Sequence, residues 1–348
     1  MKIIKTFKAA VLYKLKKLPT IKDITFKDNL EKGQVLVKIS SASICGAQMN
    51  EIEGVKGPDK YLPHMMGHEG YGKIIKTGKN IGRVKVGDYV VLHWRKADGH
   101  NVNGARYNSD TGIVNSGQVV TFAQYAIVSE NRVTKVNLNK KLKRVAPLFG
   151  CCLTTAYGLV FNEAKILKKD KILIVGSGGL GLSIAGVIKT LGVEDITFVD
   201  KNFTSYKKKF IEGLNIKKKI VNIKKFKKNL KNLKFDQIIE TTGSVKNISY
   251  CFDLLSNIGT LVLVGQPKKD SKLIINNPLK LLTGARIISS DGGHINPGKD
   301  LNAVISMVSK NYRIFNNLIS HTFNLKDINK GIILMKNNKS LRVVVKCH

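Results

Sequence analysis

A glycine-rich turn between a buried strand and a helix is the strongest structural constraint in this chain of 348 residues. The stretch KILIVGSGGLG places an apolar run directly before Gly176, Gly178 and Gly181, in the spacing G-x-G-x-x-G. A strand that is apolar on both faces is typical of a parallel sheet covered by helices. Glycines at such a turn let a pyrophosphate approach the backbone, and the next helix offers free N–H groups at its N-terminus. We therefore predict a dinucleotide site whose loop residues are Gly176, Gly178, Gly179 and Gly181.

An acidic residue closes the next predicted strand. Asp200 ends the apolar run DITFVD, about 20 positions after the glycine loop, where a carboxylate binds the ribose hydroxyls and repels a 2′-phosphate. This favours NAD over NADP. The adjacent Lys201 weakens the preference, so NADP is not excluded. The alternative, a packed turn without a ligand, has less support because the motif lies in its required strand–turn–helix context.

The sequence pattern divides the chain into two domains. Before residue 153, short β-rich segments alternate with Gly, Asn and Asp turns, and a polar loop occupies residues 96–117. From there to residue 290, buried strands alternate with helical stretches, as in a doubly wound parallel sheet. A helix and the strand LRVVVKC follow. We predict a catalytic domain at residues 1–152, completed by 291–348, and a cofactor-binding domain at 153–290.

The net charge of +35 raises the question of a polyanionic partner. Lysine far outnumbers arginine and accompanies abundant Asn and Ile, a combination that an A/T-rich coding sequence produces by itself. The densest run, residues 217–235, alternates lysines with apolar residues as solvated elements do. No RNA-binding motif accompanies it, so we expect no specific nucleic-acid partner. A basic nucleic-acid or membrane-surface binder without activity remains an alternative.

Hydropathy and cysteine content bear on the compartment. No apolar run approaches the roughly 18 residues of a membrane span. Lysines interrupt the first apolar residues, so no signal peptide is predicted. The cysteines are scattered and odd in number, which argues against a disulfide framework. We expect a cytoplasmic protein.

Cysteines and a histidine also suggest a metal site. Cys45 in SICGAQMN, His68 in HMMGHEGYG and one of the adjacent Cys151 and Cys152 follow one another along the chain. Neighbouring side chains diverge, so a disulfide between the adjacent pair is geometrically poor. Two thiolates and one imidazole form the ligand set of a catalytic zinc that keeps its fourth position open. The residues alone leave open which of the two cysteines would bind, or whether either is only a buried small hydrophobe.

Together these landmarks resemble the zinc-dependent medium-chain dehydrogenases/reductases, the alcohol and sorbitol dehydrogenase family, from end to end. In family order, the matching segments are FKAAVLY, ICG, GHEGYGKIIKTG, VGD, TFAQYAIVSE, CxxTTAYG, the glycine loop and SLRVVV. The resemblance implies a partly open, GroES-like β-barrel catalytic domain and a Rossmann cofactor domain. It also implies hydride transfer between a nicotinamide cofactor and a secondary alcohol or ketone, in a homodimer or homotetramer.

The resemblance implies a role for each residue of the metal site. It makes Cys45, His68 and Cys151 the ligands of one catalytic zinc. Cys152 stands where relatives commonly have glycine and would be a packed thiol. Glu69 would lie behind the metal and enter its coordination sphere transiently.

Other residues are implied in binding the cofactor and substrate. Thr155 would pack against the nicotinamide, and Arg342 would contact the cofactor pyrophosphate. His93, Trp94 and Arg95 lie where relatives line the substrate pocket. We predict that His93 moves protons, because an ordinary imidazole titrates near neutrality, although it equally fits a residue that only shapes the pocket.

Three departures from the family pattern matter. The lobe that binds a structural zinc in many relatives has no cysteine here, so we predict no structural zinc. Ala47 replaces the hydroxyl residue that relays the alcohol proton. Gln48 replaces an aspartate, and its carbonyl is expected to accept from a ligand histidine.

The substrate class rests on a local similarity. The stretch HWRK is similar to zinc dehydrogenases associated with bacterial polysaccharide assembly. We therefore expect a polyol or sugar. Arg95 and Lys96 would suit a phosphate or carboxylate on the substrate, although solvated surface charges are the better interpretation in so lysine-rich a chain. The zinc-free quinone or enone reductases of the same fold are the alternative enzyme class, and they typically lack the Cys–His–Cys set.

Overall fold

A computed structural model describes residues 6–26 and 29–348. Residues 1–5, part of the stretch in which no signal peptide is predicted, lie outside the described residues. The strands are β1 Thr6–Leu12, β2 Thr20–Thr25, β3 Gln34–Ile44, β4 His64–Met65, β5 Gly70–Thr77, β6 Tyr89–Leu92, β7 Arg106–Ser109, β8 Gly112–Asn115, β9 Tyr125–Ser129, β10 Val133–Lys135, β11 Ile172–Val175, β12 Asp195–Asp200, β13 Lys217–Asn222, β14 Phe235–Glu240, β15 Leu255–Leu263, β16 Arg286–Ser289, β17 Ile319–Asn324 and β18 Arg342–Lys346. The α-helices are α1 Gly46–Glu53, α2 Cys152–Gly158, α3 Gly179–Thr190, α4 Ser205–Gly213, α5 Phe226–Leu230, α6 Val245–Asp253, α7 Leu279–Leu282, α8 Pro297–Lys310, α9 Tyr312–Asn316 and α10 Ile328–Lys336.

The first of two compact units is built mainly from strands. It contains the described residues of Met1–Thr154, together with Asn296–Tyr312 and Ile319–His348. Strands β1, β2, β7, β8 and β4 close into a barrel, and β10, β6, β5, β3, β18 and β17 form a sheet in that order, with β9 paired to β3. Strand β18 runs antiparallel to β3, so the C-terminal strand completes the sheet of the N-terminal half.

The polar loop predicted at residues 96–117 contains regular structure that the sequence pattern missed. Strands β7 and β8 form an antiparallel hairpin within it. Each strand has one fully buried side chain, Tyr107 in β7 and Val114 in β8. With only one buried position per strand, the hydrophobic alternation is too short to recognise among polar residues.

The second unit is the predicted doubly wound α/β domain. It contains Thr155–Ile295 and Arg313–Leu318. Six parallel strands lie in the order β13, β12, β11, β14, β15, β16. Strand β11 is central and buried along its whole length, which explains its continuous apolar sequence. The glycine loop and Asp200 therefore lie at the same carboxyl edge of neighbouring strands.

None of the helices in the described ranges is both long enough and apolar enough to cross a bilayer.

Candidate metal centre and cofactor site

Three loops of the first unit bring together the predicted zinc ligands. Cys45 follows β3 and caps the N-terminus of α1, His68 lies between β4 and β5, and Cys151 follows the 3₁₀ helix Ala146–Gly150. The two Sγ atoms and a ring nitrogen of His68 all lie within 4.8 Å of one another. Over residues 6–26 and 29–348, this is the one group of three or more His, Cys, Asp or Glu side chains with such spacing. All three side chains are half-buried, as an open coordination site requires.

Glycine makes the close approach of two of these loops possible. A Cβ at Gly150 would lie 2.2 Å from the carbonyl oxygen of Leu92 and 2.7 Å from the Cα of Glu69. Gly67 has a φ of +95°, and a Cβ there would lie 2.4 Å from Oγ1 of Thr121. The residues preceding Cys151 and His68 are therefore glycine because the backbone packs without room for a side chain.

Gln48 links two of the predicted ligands. Its Oε1 accepts a hydrogen bond from the backbone N–H of Cys45 at 3.0 Å, and its Nε2 lies 2.6 Å from Nδ1 of His68. The expected contact between Gln48 and the histidine is present, but the amide nitrogen faces the ring where the carbonyl was expected. The Nε2 atom of His68 is buried without a hydrogen-bond partner among the described residues.

The donor set of this cluster fits a zinc ion. The Cys45 thiol has a pKa well below its ordinary value. The main cause is its hydrogen bond with the Cys151 side chain, and interactions with His68 lower the pKa further. A thiol of lowered pKa is already inclined to the thiolate form that binds metals. Two sulfurs and one unpartnered imidazole nitrogen match the softness and number of ligands that a catalytic zinc takes from a protein.

The structure separates the two adjacent cysteines. Cys151 joins the cluster, whereas Cys152 is buried in the core and its backbone N–H donates to Oε2 of Glu69 at 3.1 Å. The other oxygen of Glu69 accepts from the Arg342 guanidinium, which also donates to Oγ of Ser43 at 2.9 Å. Glu69 and Arg342 thus form a fully buried ion pair in the first unit. Arg342, for which a pyrophosphate contact was expected, has its charge balanced there.

Both ring nitrogens of His93 are engaged in hydrogen bonds. Its Nδ1 donates to the carbonyl of Arg95 at 2.7 Å, and its Nε2 accepts from the hydroxyl of Thr134 at 2.9 Å. Burial lowers the pKa of His93 from 6.5 to about 4. The prediction of a proton carrier assumed an ordinary imidazole pKa. Burial lowers that pKa, and both ring nitrogens already take part in hydrogen bonds. Its neighbour Trp94 packs against the core, with the Arg95 guanidinium 5.6 Å from its ring centroid.

The glycine loop of the second unit has the form of a dinucleotide cradle. Gly176 has a φ of +97°, and a Cβ at Gly181 would lie 2.0 Å from the carbonyl oxygen of Gly176. A Cβ at Gly178, the residue that caps α3, would meet no atom within 4 Å. The hydroxyl of Ser177 is buried without a hydrogen-bond partner in the described part of the chain. The tight turn and open space beside a helix N-terminus fit a pyrophosphate.

Asp200 lies at the edge of this cradle. Its Oδ2 accepts from the backbone N–H of Ser177 at 2.7 Å, and its Oδ1 accepts from that of Asn202 at 2.9 Å. Oδ2 also accepts from Nζ of Lys207 at 3.0 Å. Thr155, predicted to contact the nicotinamide, is a buried residue of α2.

Comparison with known proteins shows which proteins this chain resembles. The family model for the alcohol dehydrogenase GroES-like domain matches residues 31–138. Alcohol dehydrogenase 6 of Peromyscus maniculatus is 26% identical over 97% of both chains. S-(hydroxymethyl)glutathione dehydrogenase of Synechocystis is 24% identical over 90% of this chain and 93% of its own. This similarity to alcohol dehydrogenases over nearly the whole chain agrees with the family resemblance predicted from the sequence.

A solved structure extends the comparison to the fold of the whole chain. Benzyl alcohol dehydrogenase from Acinetobacter calcoaceticus superimposes with a TM-score of 0.85 over 99% of this chain and 100% of its own, at 23% identity. The predicted fold class, a GroES-like barrel domain with a Rossmann domain, is thereby confirmed.

One buried charged residue beside the glycine loop escaped sequence reasoning. Lys207 is buried in α4 and paired with Asp200, yet it lies in the lysine run SYKKKF. A helical period was the available signal, because Lys207 shares one face with the buried Phe210 and Ile211, at positions i, i+3 and i+4.

Proposed function

We propose that this protein is a zinc- and NAD(P)-dependent oxidoreductase that transfers hydride between the cofactor and a secondary alcohol or ketone. The convergence of Cys45, His68 and Cys151 in a chain similar to alcohol dehydrogenases is the observation that carries the proposal. The names of the two curated relatives support an alcohol as the substrate.

The three side chains would hold one zinc ion, which when bound supplies a Lewis acid to the substrate oxygen. The nicotinamide, when bound, supplies the hydride acceptor or donor. Binding through Nε2 requires His68 to keep its proton on Nδ1. Rotation of the Gln48 amide would present Oε1 as the acceptor for that proton, at the cost of the hydrogen bond that Oε1 accepts from the N–H of Cys45.

Glu69 would act as a positioning residue. Its carboxylate accepts from the N–H of Cys152 and pairs with Arg342, so it fixes the backbone on both sides of the site. Because Glu69 directly follows His68 and Cys152 directly follows Cys151, this one carboxylate holds two ligand loops in register.

Water is the proposed proton carrier. Ala47 has no hydroxyl, and both ring nitrogens of His93 are engaged. A cavity of about 1110 Å³ in the first unit is lined by polar residues that include Gln48 and His68, so water can reach this side of the ligand set.

We propose a polyol or sugar as the substrate class. We also propose that the protein forms a homodimer or homotetramer. The cation Arg95, held over the Trp94 ring, supports a phosphorylated substrate. A screen of polyols and sugar phosphates with NAD and NADP, read as absorbance of the reduced cofactor, would identify the substrate.

The decisive experiment measures zinc per chain in dialysed protein. We expect about one zinc in the wild type and in Cys152→Ser, and less than about a tenth of that in Cys151→Ser, because only Cys151 belongs to the ligand set. The two variants make the same chemical change at adjacent positions, so each controls for the other.

Other zinc contents would contradict parts of the proposal. Equal loss in both variants would contradict the assignment of Cys151. No zinc in zinc-supplemented wild type would return the question to the zinc-free reductases. Two zinc ions per chain would show a second site despite the cysteine-free lobe.

A further inference from the structure

We propose that Lys207 sets the cofactor specificity of this enzyme by neutralising Asp200, so that NADPH is accepted alongside NADH. This inference rests on the proposed nicotinamide site and goes beyond it in naming the residue that relaxes the choice. Asp200 alone would repel the 2′-phosphate of NADPH.

The Lys207 side chain is buried and does not act as a surface charge. It is 2% exposed and Asp200 is 8% exposed. Its Nζ donates to Oδ2 of Asp200 at 3.0 Å and to the carbonyl of Asn202 at 2.9 Å. The ammonium group is therefore fixed on the loop that follows β12, and it cannot leave Asp200 without losing a second hydrogen bond.

The carboxylate keeps only part of its binding capacity. Oδ2 already accepts from Ser177 and Lys207, whereas within the described residues Oδ1 accepts only from the backbone N–H of Asn202. A carboxylate oxygen accepts about two hydrogen bonds, so Oδ1 can still take one ribose hydroxyl. NADH binding is thus preserved, while the charge that would exclude a phosphate is paired.

Further cations lie at the same edge of the sheet. Lys201 follows Asp200 and is exposed, and its carbonyl accepts from Nδ2 of Asn222 at 3.1 Å. Asn222 ends β13, which runs parallel to β12, and Lys224 and Lys225 follow in a 3₁₀ helix. These lysines favour an anionic group where the adenosine ribose would lie.

The test is a fluorescence titration of the zinc-loaded enzyme with NADH and NADPH at one fixed ionic strength, which needs no substrate. We expect wild-type dissociation constants for the two cofactors within about tenfold of each other. In Lys207→Met the ratio of Kd for NADPH to Kd for NADH should rise about tenfold or more, which corresponds to about 1.4 kcal/mol.

Lys208→Met is the matched control. Lys208 is the exposed neighbour on the same helix, and the substitution changes the net charge by the same amount. We expect the wild-type ratio in this variant. An equal change in both variants would show that only the overall charge matters and would overturn the proposal.

A second variant covers the case in which Lys207→Met unfolds, because it leaves a buried carboxylate unpaired. Asp200→Asn with Lys207→Met removes both charges, and its ratio should return to the wild-type value or below it. A wild-type preference for NADH above a hundredfold, or an unchanged ratio in a folded Lys207→Met, would overturn the inference. If neither cofactor binds the wild type, the proposed function itself fails.

Discussion

Burial sets the chemistry of His93. A histidine that donates from Nδ1 to a carbonyl and accepts at Nε2 from a hydroxyl has no free lone pair for a further proton. Protonation in the folded state would break the Thr134 contact and place a charge in the core. The neutral ring is therefore built into the junction of β6 and β10.

This arrangement predicts a pH dependence of stability. The pKa of His93 is about 4 in the folded protein and 6.5 when exposed. Between these values the unfolded chain binds a proton that the folded chain does not, so the free energy of unfolding falls as the pH drops. His93→Asn keeps a donor for the Arg95 carbonyl but cannot titrate. From pH 6.5 to 4.5, urea unfolding should show a loss about 2 kcal/mol larger for the wild type than for the variant.

The exposed His100 supplies the control. His100→Asn makes the same substitution outside the core, and its loss of stability with acid should exceed that of His93→Asn. A parallel pH dependence in His93→Asn and the wild type would contradict a neutral buried imidazole.

The sequence indicated which Cys and His side chains lie together more readily than which charged side chains pair. Cys45, His68 and Cys151 were predictable because their family positions are local motifs. The choice of Oδ2 of Asp200 as the partner of Lys207, and of Glu69 as the partner of Arg342, depends on contacts between distant segments. A single sequence contains the residue types for such pairs but no signal for which pairs form.

Among the elements, the 3₁₀ helix Ala146–Gly150 has no room for a side chain at its last residue. Gly150 lies against the carbonyl of Leu92, where β6 ends, and against the backbone of Glu69. Both obstacles involve main-chain atoms, which cannot turn aside as a flexible side chain would. The position of Cys151 therefore depends on the absence of one methyl group.

Gly150→Ala should displace this helix from β6 and Glu69. We expect a loss of about 1–3 kcal/mol in the free energy of unfolding, as for overpacking in a core. We also expect zinc affinity to fall roughly tenfold or more, as when a group that orients a ligand is lost. Urea unfolding and a competitive zinc titration would measure the two effects.

Gly82→Ala is the comparison variant, because a Cβ there meets no atom within 4 Å and the residue has no positive φ. It should keep wild-type stability and zinc affinity. Wild-type zinc affinity in Gly150→Ala would show that the loop can move without disturbing the ligand set.

Elements with a complete hydrophobic pattern were predictable, and elements without one were not. The strands β11 and β12 could be predicted from the sequence because they are buried on both faces and flank a glycine loop. The hairpin of β7 and β8 did not, since each strand buries only one residue fully.

At the scale of the whole molecule, the main feature is a large excess of positive charge. The chain has 59 Lys and Arg residues against 24 Asp and Glu residues. Ion pairs such as Lys8–Asp23, Lys22–Asp110 and Lys336–Glu53 lie at the surface, where each contributes little. Self-repulsion of the remaining positive charge favours expanded states over the compact fold.

Salt should therefore stabilise this protein. The screening length falls from about 30 Å at 0.01 M to about 10 Å at 0.1 M ionic strength, which is short compared with a domain. We expect the melting temperature to rise by about 3 °C or more over this range, equivalent to about 2 kcal/mol for a protein of this size. Sodium chloride and potassium chloride should act equally at equal ionic strength, because screening does not depend on the identity of the ion. A rise confined to sulfate or phosphate would instead indicate a specific anion site, and no rise with any salt would show that the positive charges are too far apart to repel one another in the folded chain.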